Sequence, residues 1–189
     1  MHRIHHNSGT GIDMLHGPMA WKIFVFALPL IASGILQQSF NAVDVAVIGR
    51  YSSAQAMAAV GSNGVIINIL VNLFLGVAVG ANVVIANHIG HANKEGIRRS
   101  VATAGIVSLV SGAILLVLGS VLARPILEAM GTPDDVIELA TVYLRIYFLG
   151  MPFIMAYNFG SAILRSIGDT RRPFYSLLVA TAVNALLDW

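Results

Sequence analysis

The sequence has 189 residues, of which 57% are hydrophobic and only 11% are charged, and its formal net charge is +2. Soluble domains carry about 25% charged residues, so these values exclude a soluble monomer, and they exclude disorder because disordered chains are apolar-poor and charge-rich. The chain has no cysteine, which excludes disulfides and thiolate metal sites, and its near balance of basic and acidic residues does not indicate nucleic-acid binding.

Five stretches without Lys, Arg, Asp or Glu predict membrane-spanning helices, since about 20 mostly apolar residues cross a hydrocarbon core of roughly 30 Å. We predict spans at about 20–46, 56–86, 100–122, 139–164 and 174–189, after a polar, histidine-containing tail over residues 1–19. Pro29 and Pro152 lie inside spans and are expected to bend them. The predicted fold class is all-α, a polytopic helical membrane protein.

The basic residues predict the orientation of the chain. If the N-terminus is cytoplasmic, eight of the 11 Lys and Arg residues lie inside, and Arg50, Arg124 and Arg145 lie outside. Cytoplasmic loops carry an excess of basic residues, so we predict a cytoplasmic N-terminus. As a separate expectation, we predict a plasma-membrane location. The fifth span ends at Trp189 without a polar flank, which we interpret as truncation of a longer protein within its fifth helix.

Two carboxylates, Asp44 and Asp188, lie in or beside spans, where an ionisable group costs on the order of 2.5–3.5 kcal/mol. Each has polar neighbours on one helix face: Gln37 and Asn41 accompany Asp44, and Thr181 and Asn184 accompany Asp188. Burial favours a protonated carboxyl group, whereas an ionised one among amide oxygens can hold a small hard cation such as sodium. The alternative interpretation is that Asp44 is a solvent-exposed loop residue and that Asp188 makes only a structural hydrogen bond to a neighbouring helix.

Other polar and small residues in the spans have less specific patterns. In the fourth span Tyr143, Tyr147, Asn158 and Ser161 share a stripe. Asn68 and Asn72 either join helices or line a pathway. Six glycines are expected to allow close helix packing: Gly34, Gly76, Gly80, Gly105, Gly112 and Gly119.

The histidines suggest a competing hypothesis. His2-x-x-His5-His6 has the form of a ligand box of membrane di-iron enzymes, and His88-x-x-His91 could be a second box. Such enzymes need about eight ligands, whereas the chain has only six histidines, so a solvated tail is the favoured interpretation. Phosphate loops, nucleophile elbows and H-E-x-x-H motifs are absent from the sequence. We expect no enzyme activity and no resident cofactor.

The order of the motifs resembles the N-terminal half of the MATE (multidrug and toxic compound extrusion) transporters. The matching stretches are residues 41–50, 76–90, 143–152, 164–173 and 184–188. The loop Leu164-Arg-Ser-Ile-Gly-Asp-Thr170 and the Asn184-x-x-x-Asp188 pair are the most specific of these. The resemblance covers about residues 20–189.

The resemblance implies twelve helices in two six-helix lobes around a central cavity. This chain would supply five helices of the first lobe, and the C-terminal lobe would be missing. The resemblance further implies a cation- or proton-binding site made by Asp44, Asp188, Asn184, Asn158 and Tyr143, with Pro29 as the kink of the first helix. The candidate lining of a substrate cavity consists of Gln37, Asn41, Asn68, Asn72 and Thr181.

These expectations define a functional hypothesis: an antiporter, driven by protons or sodium, that exports amphipathic and cationic organic compounds. Its expected partners are the lipid bilayer, small organic cations and the missing lobe. One alternative is a lipid-linked precursor flippase of the same superfamily, for which Arg145 is the only candidate basic residue. The others are the di-iron enzyme and a non-functional truncated product.

Overall fold

The computed structural model describes residues 19–51 and 53–187, and these residues form helices joined by short turns. The helices are α1 (Met19–Tyr51), α2 (Ala54–Gly90), α3 (Lys94–Ala129), α4 (Asp134–Leu149), α5 (Met151–Ser166) and α6 (Arg171–Leu187). The all-α prediction is confirmed. The tail over residues 1–18 lies outside the described residues.

Several of the described helices meet the requirements of a membrane span. The helices α1, α2 and α3 are each long and apolar enough to cross a membrane, and α4 together with α5 passes the same test as one bent span. The second span is a single helix of 37 residues, although its length would also fit two short helices. The helix α6 is described over 17 residues, slightly fewer than the roughly 20 that a complete crossing needs.

The bend predicted in the fourth span is present, but it begins before the proline. The axes of α4 and α5 differ by 46°, and the break lies at Gly150, which ends α4. Pro152 occupies the first turn of α5, where a residue without an N–H group loses no helical hydrogen bond. The backbone carbonyl of Gly150 accepts hydrogen bonds from both Phe153 and Ile154, which restarts the helix after the break.

Four helices form the core, and two lie beside them. The helices α2, α3, α4 and α5 pack on one another, whereas α1 packs mainly along α6 and more sparsely against α2. The most buried large side chains belong to the four-helix core, among them Leu115, Leu144, Phe148 and Phe159. The space between α1 and this core is therefore only partly filled, and it holds the candidate site.

Only some of the predicted packing glycines make close contacts within the described chain. A Cβ atom at Gly112 would lie 2.5 Å from the Cα of Pro152, and one at Gly119 would overlap the ring of Phe148. These two glycines let α3 approach the α4–α5 bend, as expected. A Cβ atom would meet nothing within 4 Å at Gly34, Gly76, Gly80 and Gly105, so these four glycines make no close contact within the described residues and their packing role stays a prediction.

Candidate functional site

A cavity of about 470 Å³ lies between α1, α2 and α4, and we call it the Asp44 cavity. Its polar lining consists of Asn41, Asp44, Asn68, Tyr143 and Tyr147. Four of these residues are among the site residues predicted from the sequence. The structure brings them together from three helices that are distant along the chain.

The shape of this lining follows from helical spacing. Asn41 and Asp44 are three residues apart on α1, and Tyr143 and Tyr147 are four residues apart on α4, so each pair projects from one helix face. The two tyrosine rings stack with a centroid distance of 6.4 Å and an interplanar angle of 26°. On α2 the lining includes Gly61 and Gly64, which leave room beside the carboxylate because they have no side chain.

Asp44 is the one acidic side chain among the described lining residues of this cavity. Asp44 is half-buried and close enough to Tyr143 for an electrostatic interaction between the two side chains. The cavity has no lysine or arginine among its described lining residues. A partly desolvated carboxylate beside hydroxyl and amide groups attracts a proton or a cation, and the stacked tyrosine rings offer electron-rich faces to an organic cation.

A second cavity of about 310 Å³ lies between α1 and α6, and we call it the Asn184 cavity. Its polar lining consists of Gln37, Asn41, Thr181 and Asn184. Because Asn41 lines both cavities, the two spaces adjoin the same stretch of α1. Polar residues of α1 and of α6 therefore line one space.

Three of the described residues predicted for the site line neither of these two cavities. Asn158 is half-buried on α5 and lines neither cavity. Asn72 is exposed, and its side-chain amide donates to the backbone carbonyl of Asn68 at 2.7 Å. Pro29 lies inside a continuous α1, where Ser33 donates to its carbonyl. Asp188 is outside the described residues, so its pairing with Asp44 stays a prediction.

Two asparagines that sequence reasoning missed join α2 to other helices of the core. The Nδ2 group of Asn63 donates to the carbonyl of Ala140 at 2.9 Å, and that of Asn82 donates to the carbonyl of Ala162 at 2.7 Å. By contrast, Asn68 donates to Gly64 on its own helix. The sequence contains one relevant signal, an amide side chain within a long apolar helix, but it does not distinguish Asn63 from Asn68.

The histidines in the described part of the chain make local contacts. The ring of His91 hydrogen-bonds to the carbonyl of Asn87 at 2.9 Å, and His88 lies against Gly96. Within residues 19–51 and 53–187, no group of three or more His, Cys, Asp or Glu side chains could hold a metal ion. The His2–His6 stretch lies outside these residues.

Comparison with known proteins identifies the family. A family model described as MatE matches residues 29–189. The chain belongs to this MATE family. It is 34% identical over 171 residues to the "Probable multidrug resistance protein YoeA" of Bacillus subtilis, covering 90% of this chain and 37% of the relative.

Other MATE relatives differ in their named roles. The chain is 28% identical over 169 residues to the "Probable multidrug resistance protein NorM" of Thermotoga maritima, with 89% and 36% of the two chains covered. It is 24% identical over 175 residues to the "FAD transporter" of Shewanella oneidensis, with 93% and 38% covered. The MATE chain described here thus spans less than two-fifths of the length of these relatives.

Solved MATE structures have the same fold. One described as an outward-facing conformation of a multidrug resistance MATE family transporter has a TM-score of 0.88 at 26% identity, and the match covers 97% of this chain and 40% of that one. A Pyrococcus furiosus transporter, described as having a binding pocket of reverse polarity, matches with the same TM-score, identity and coverage. The chain is therefore a multi-pass membrane protein of the MATE fold.

Proposed function

We propose that this chain forms the N-terminal part of a cation-coupled antiporter that exports amphipathic and cationic organic compounds. The coupling ion is a proton or sodium, and the protein works as a transporter without enzyme activity or a resident cofactor. The Asp44 cavity is the main support for this proposal, because it combines a half-buried carboxylate, amide groups and stacked tyrosines. Several of the relatives are named as multidrug resistance proteins.

In the proposed mechanism, the coupling ion and the cargo compete for one negative charge. When Asp44 is ionised, the cavity attracts a cationic cargo. Binding of a proton or sodium at Asp44, together with Asp188 from the fifth span, removes that attraction and favours release. Coupling then requires that the ion binds one of the two access states more tightly than the other, since a ligand with equal affinity for both shifts no equilibrium.

We further propose that the protein lies in the plasma membrane with its N-terminus in the cytoplasm. In this orientation the N-terminal ends of α3 and α6 face the cytoplasm. The end of α3 carries Lys94, Arg98 and Arg99, and the end of α6 carries Arg171 and Arg172. The turn between α3 and α4 faces outside and is flanked by acidic residues. The Asp44 cavity then opens in the outer half of the bilayer, where an outward-facing state would release cargo.

The test uses the full-length protein that carries this chain, expressed in cells lacking their main efflux pumps. Asp44→Asn keeps the size of the side chain and removes its charge, so it is expected to abolish export of a fluorescent cation driven by a proton or sodium gradient. The matched control is Asp135→Asn, because Asp135 is exposed in the first turn of α4. Membrane levels of both variants are measured by quantitative immunoblotting.

The expected result is loss of gradient-driven efflux in Asp44→Asn alone, at unchanged membrane level. Undiminished efflux from Asp44→Asn would overturn the mechanism. An equal loss of efflux in Asp135→Asn would show that the assay responds to the removal of any carboxylate and not specifically to that of Asp44.

Two other cargo classes are anionic. FAD, the cargo named for the Shewanella oneidensis relative, and lipid-linked diphosphates both carry phosphate charges, which basic side chains would recognise. Arg145, the candidate for such a role, is exposed, donates to the carbonyl of Ser120 and lines neither cavity. The negative lining of the Asp44 cavity favours a cationic cargo, and addition of FAD as a competitor in the efflux assay is expected to have no effect.

A further inference from the structure

A third cavity lies away from Asp44, in the wall formed by α2, α3 and α5. Its volume is about 490 Å³, and we call it the α2–α3 groove. Phe159 of α5 is almost fully buried and lies at the groove. The mechanism above gives this groove no role.

The groove is polar at one end and apolar at the other. The helices α2 and α3 run antiparallel because only the short turn 91–93 joins them. Val84 and Ser100 are each eight residues from Ala92 in the turn, so they lie opposite each other close to the turn. Val77 and Val107 are each 15 residues from Ala92, so they lie opposite each other further from the turn. Arg99, Ser100 and Thr103 are therefore at the turn end beside Val84, and Val77 and Val107 line the deep end.

The length of the groove suits one leaflet of a bilayer. From Arg99 to Val107 the rise along α3 is about 12 Å at 1.5 Å per residue, and half of a hydrocarbon core is roughly 15 Å. The residues around the groove, including Val77, Val83 and Ile106, are exposed and apolar, as expected for a surface in contact with lipid.

The charge at the turn end is positive. The first turns of α3 contain Lys94, Arg98 and Arg99 against one acidic residue, Glu95. Arg99 donates its Nε–H group to Glu95 at 2.8 Å, with the two side chains 79% and 62% exposed. An exposed pair of this kind contributes little, and Arg99 has further N–H donors for a phosphate group.

We propose that the α2–α3 groove binds an anionic phospholipid of the bilayer. One acyl chain lies along the valines and Phe159, and the phosphate group is bound by Arg99 with the hydroxyl groups of Ser100 and Thr103. A zwitterionic lipid with the same acyl chains fills the apolar part equally well but gains less from the positive turn end. This proposal does not depend on the transport mechanism.

The test measures lipid binding to the full-length protein by native mass spectrometry, with phosphatidylglycerol and phosphatidylcholine of identical acyl chains. Arg99→Gln is expected to weaken phosphatidylglycerol binding about tenfold, the effect of one charge-assisted hydrogen bond. Arg98→Gln, which removes an equal charge next to the groove, is the control and should have a much smaller effect. The binding of phosphatidylcholine should be the same in both variants.

A second pair of variants tests the apolar part. A Cβ atom at Gly80, in the groove, or at Gly105, outside it on α3, would meet nothing within 4 Å, so both positions accept a larger side chain. Gly80→Leu should fill the groove and displace both lipids, whereas Gly105→Leu should leave binding unchanged. A phosphatidylglycerol with a photoreactive acyl chain should cross-link within residues 77–84 or 99–107.

Three results would overturn the proposal. The first is equal binding of the two lipids to the parent protein. The second is an equal effect of Gly80→Leu and Gly105→Leu. The third is the absence of cross-links in the groove, which would show that another segment of the full-length protein covers this surface.

Discussion

The side-chain amide of Asn63 donates a hydrogen bond to the backbone carbonyl of Ala140 at 2.9 Å, and this bond joins α2 to α4. Asn63 is fully buried. Ala140 lies one helical turn before Tyr143, so the bond fixes the part of α4 that supplies the tyrosine to the Asp44 cavity. The site thus depends on a polar contact behind its wall as well as on the residues that line it.

Removal of this bond should destabilise the protein. Asn63→Ala leaves the carbonyl of Ala140 without that donor and is expected to cost about 1–3 kcal/mol, the usual penalty for a lost buried hydrogen bond. The measurement is thermal unfolding of the detergent-purified full-length protein. Asn72→Ala is the control, because Asn72 is exposed and bonds to its own helix. A melting temperature unchanged in Asn63→Ala would contradict this assignment.

Glycine at position 119 should be essential for packing. A Cβ atom there would overlap the ring of Phe148, so Gly119→Ala must move α3 away from α4 or force Phe148 into another rotamer. Overpacking of this kind costs about 1–3 kcal/mol or more. Gly105→Ala should have no such cost, since its Cβ meets no neighbour. Similar melting temperatures for the two variants would refute the close approach of α3 to α4.

The start of α6 should depend on Asp169. This buried carboxylate accepts hydrogen bonds from the backbone N–H groups of Arg171 and Arg172, both at 3.1 Å, and forms an ion pair with the Arg172 side chain. Loss of a helix cap costs about 1 kcal/mol, so Asp169→Ala should increase hydrogen exchange over residues 171–177. Asp135→Ala, at an exposed position in the first turn of α4, should leave that exchange unchanged.

The two acidic residues of the predicted ion site should act together. If Asp44 and Asp188 bind one ion, Asp188→Asn should abolish coupled efflux as fully as Asp44→Asn, and the double variant should be no worse than either. Residues that share one function have non-additive effects. Partial, additive losses in the three variants would show that the two carboxylates act separately.

The membrane-spanning helices of this fold could be predicted from the sequence because they follow from its composition. A charge-free stretch of the required length predicts a membrane helix, and α1, α2, α3 and the bent α4–α5 pair are long and apolar enough to be such spans. The polar face of α1 was also predictable, because helical spacing alone places Asn41 and Asp44 on the same side of the helix. Their meeting with Tyr143 in one cavity could be expected only from the family resemblance.

The contacts between helices could not be predicted in this way. Gly80 and Gly112 lie in similar apolar surroundings in the sequence, yet Gly112 packs against Pro152 and Gly80 lies in an open groove. The difference depends on which face of each helix meets a neighbour, and periodicity along one helix does not contain that information. The same reason explains why Asn63 joins two helices while Asn68 bonds to its own.

The pairing of α1 with α6 has a consequence for biogenesis. Among the six described helices, α1 is the first to leave the ribosome and α6 is the last. The helix that carries Asp44 must therefore reside in the bilayer while four further helices are synthesised and inserted. Its exposed apolar side chains, such as Phe24, Leu28 and Ile31, are compatible with contact with lipid during this time, and the Asn184 cavity forms only once α6 has joined α1.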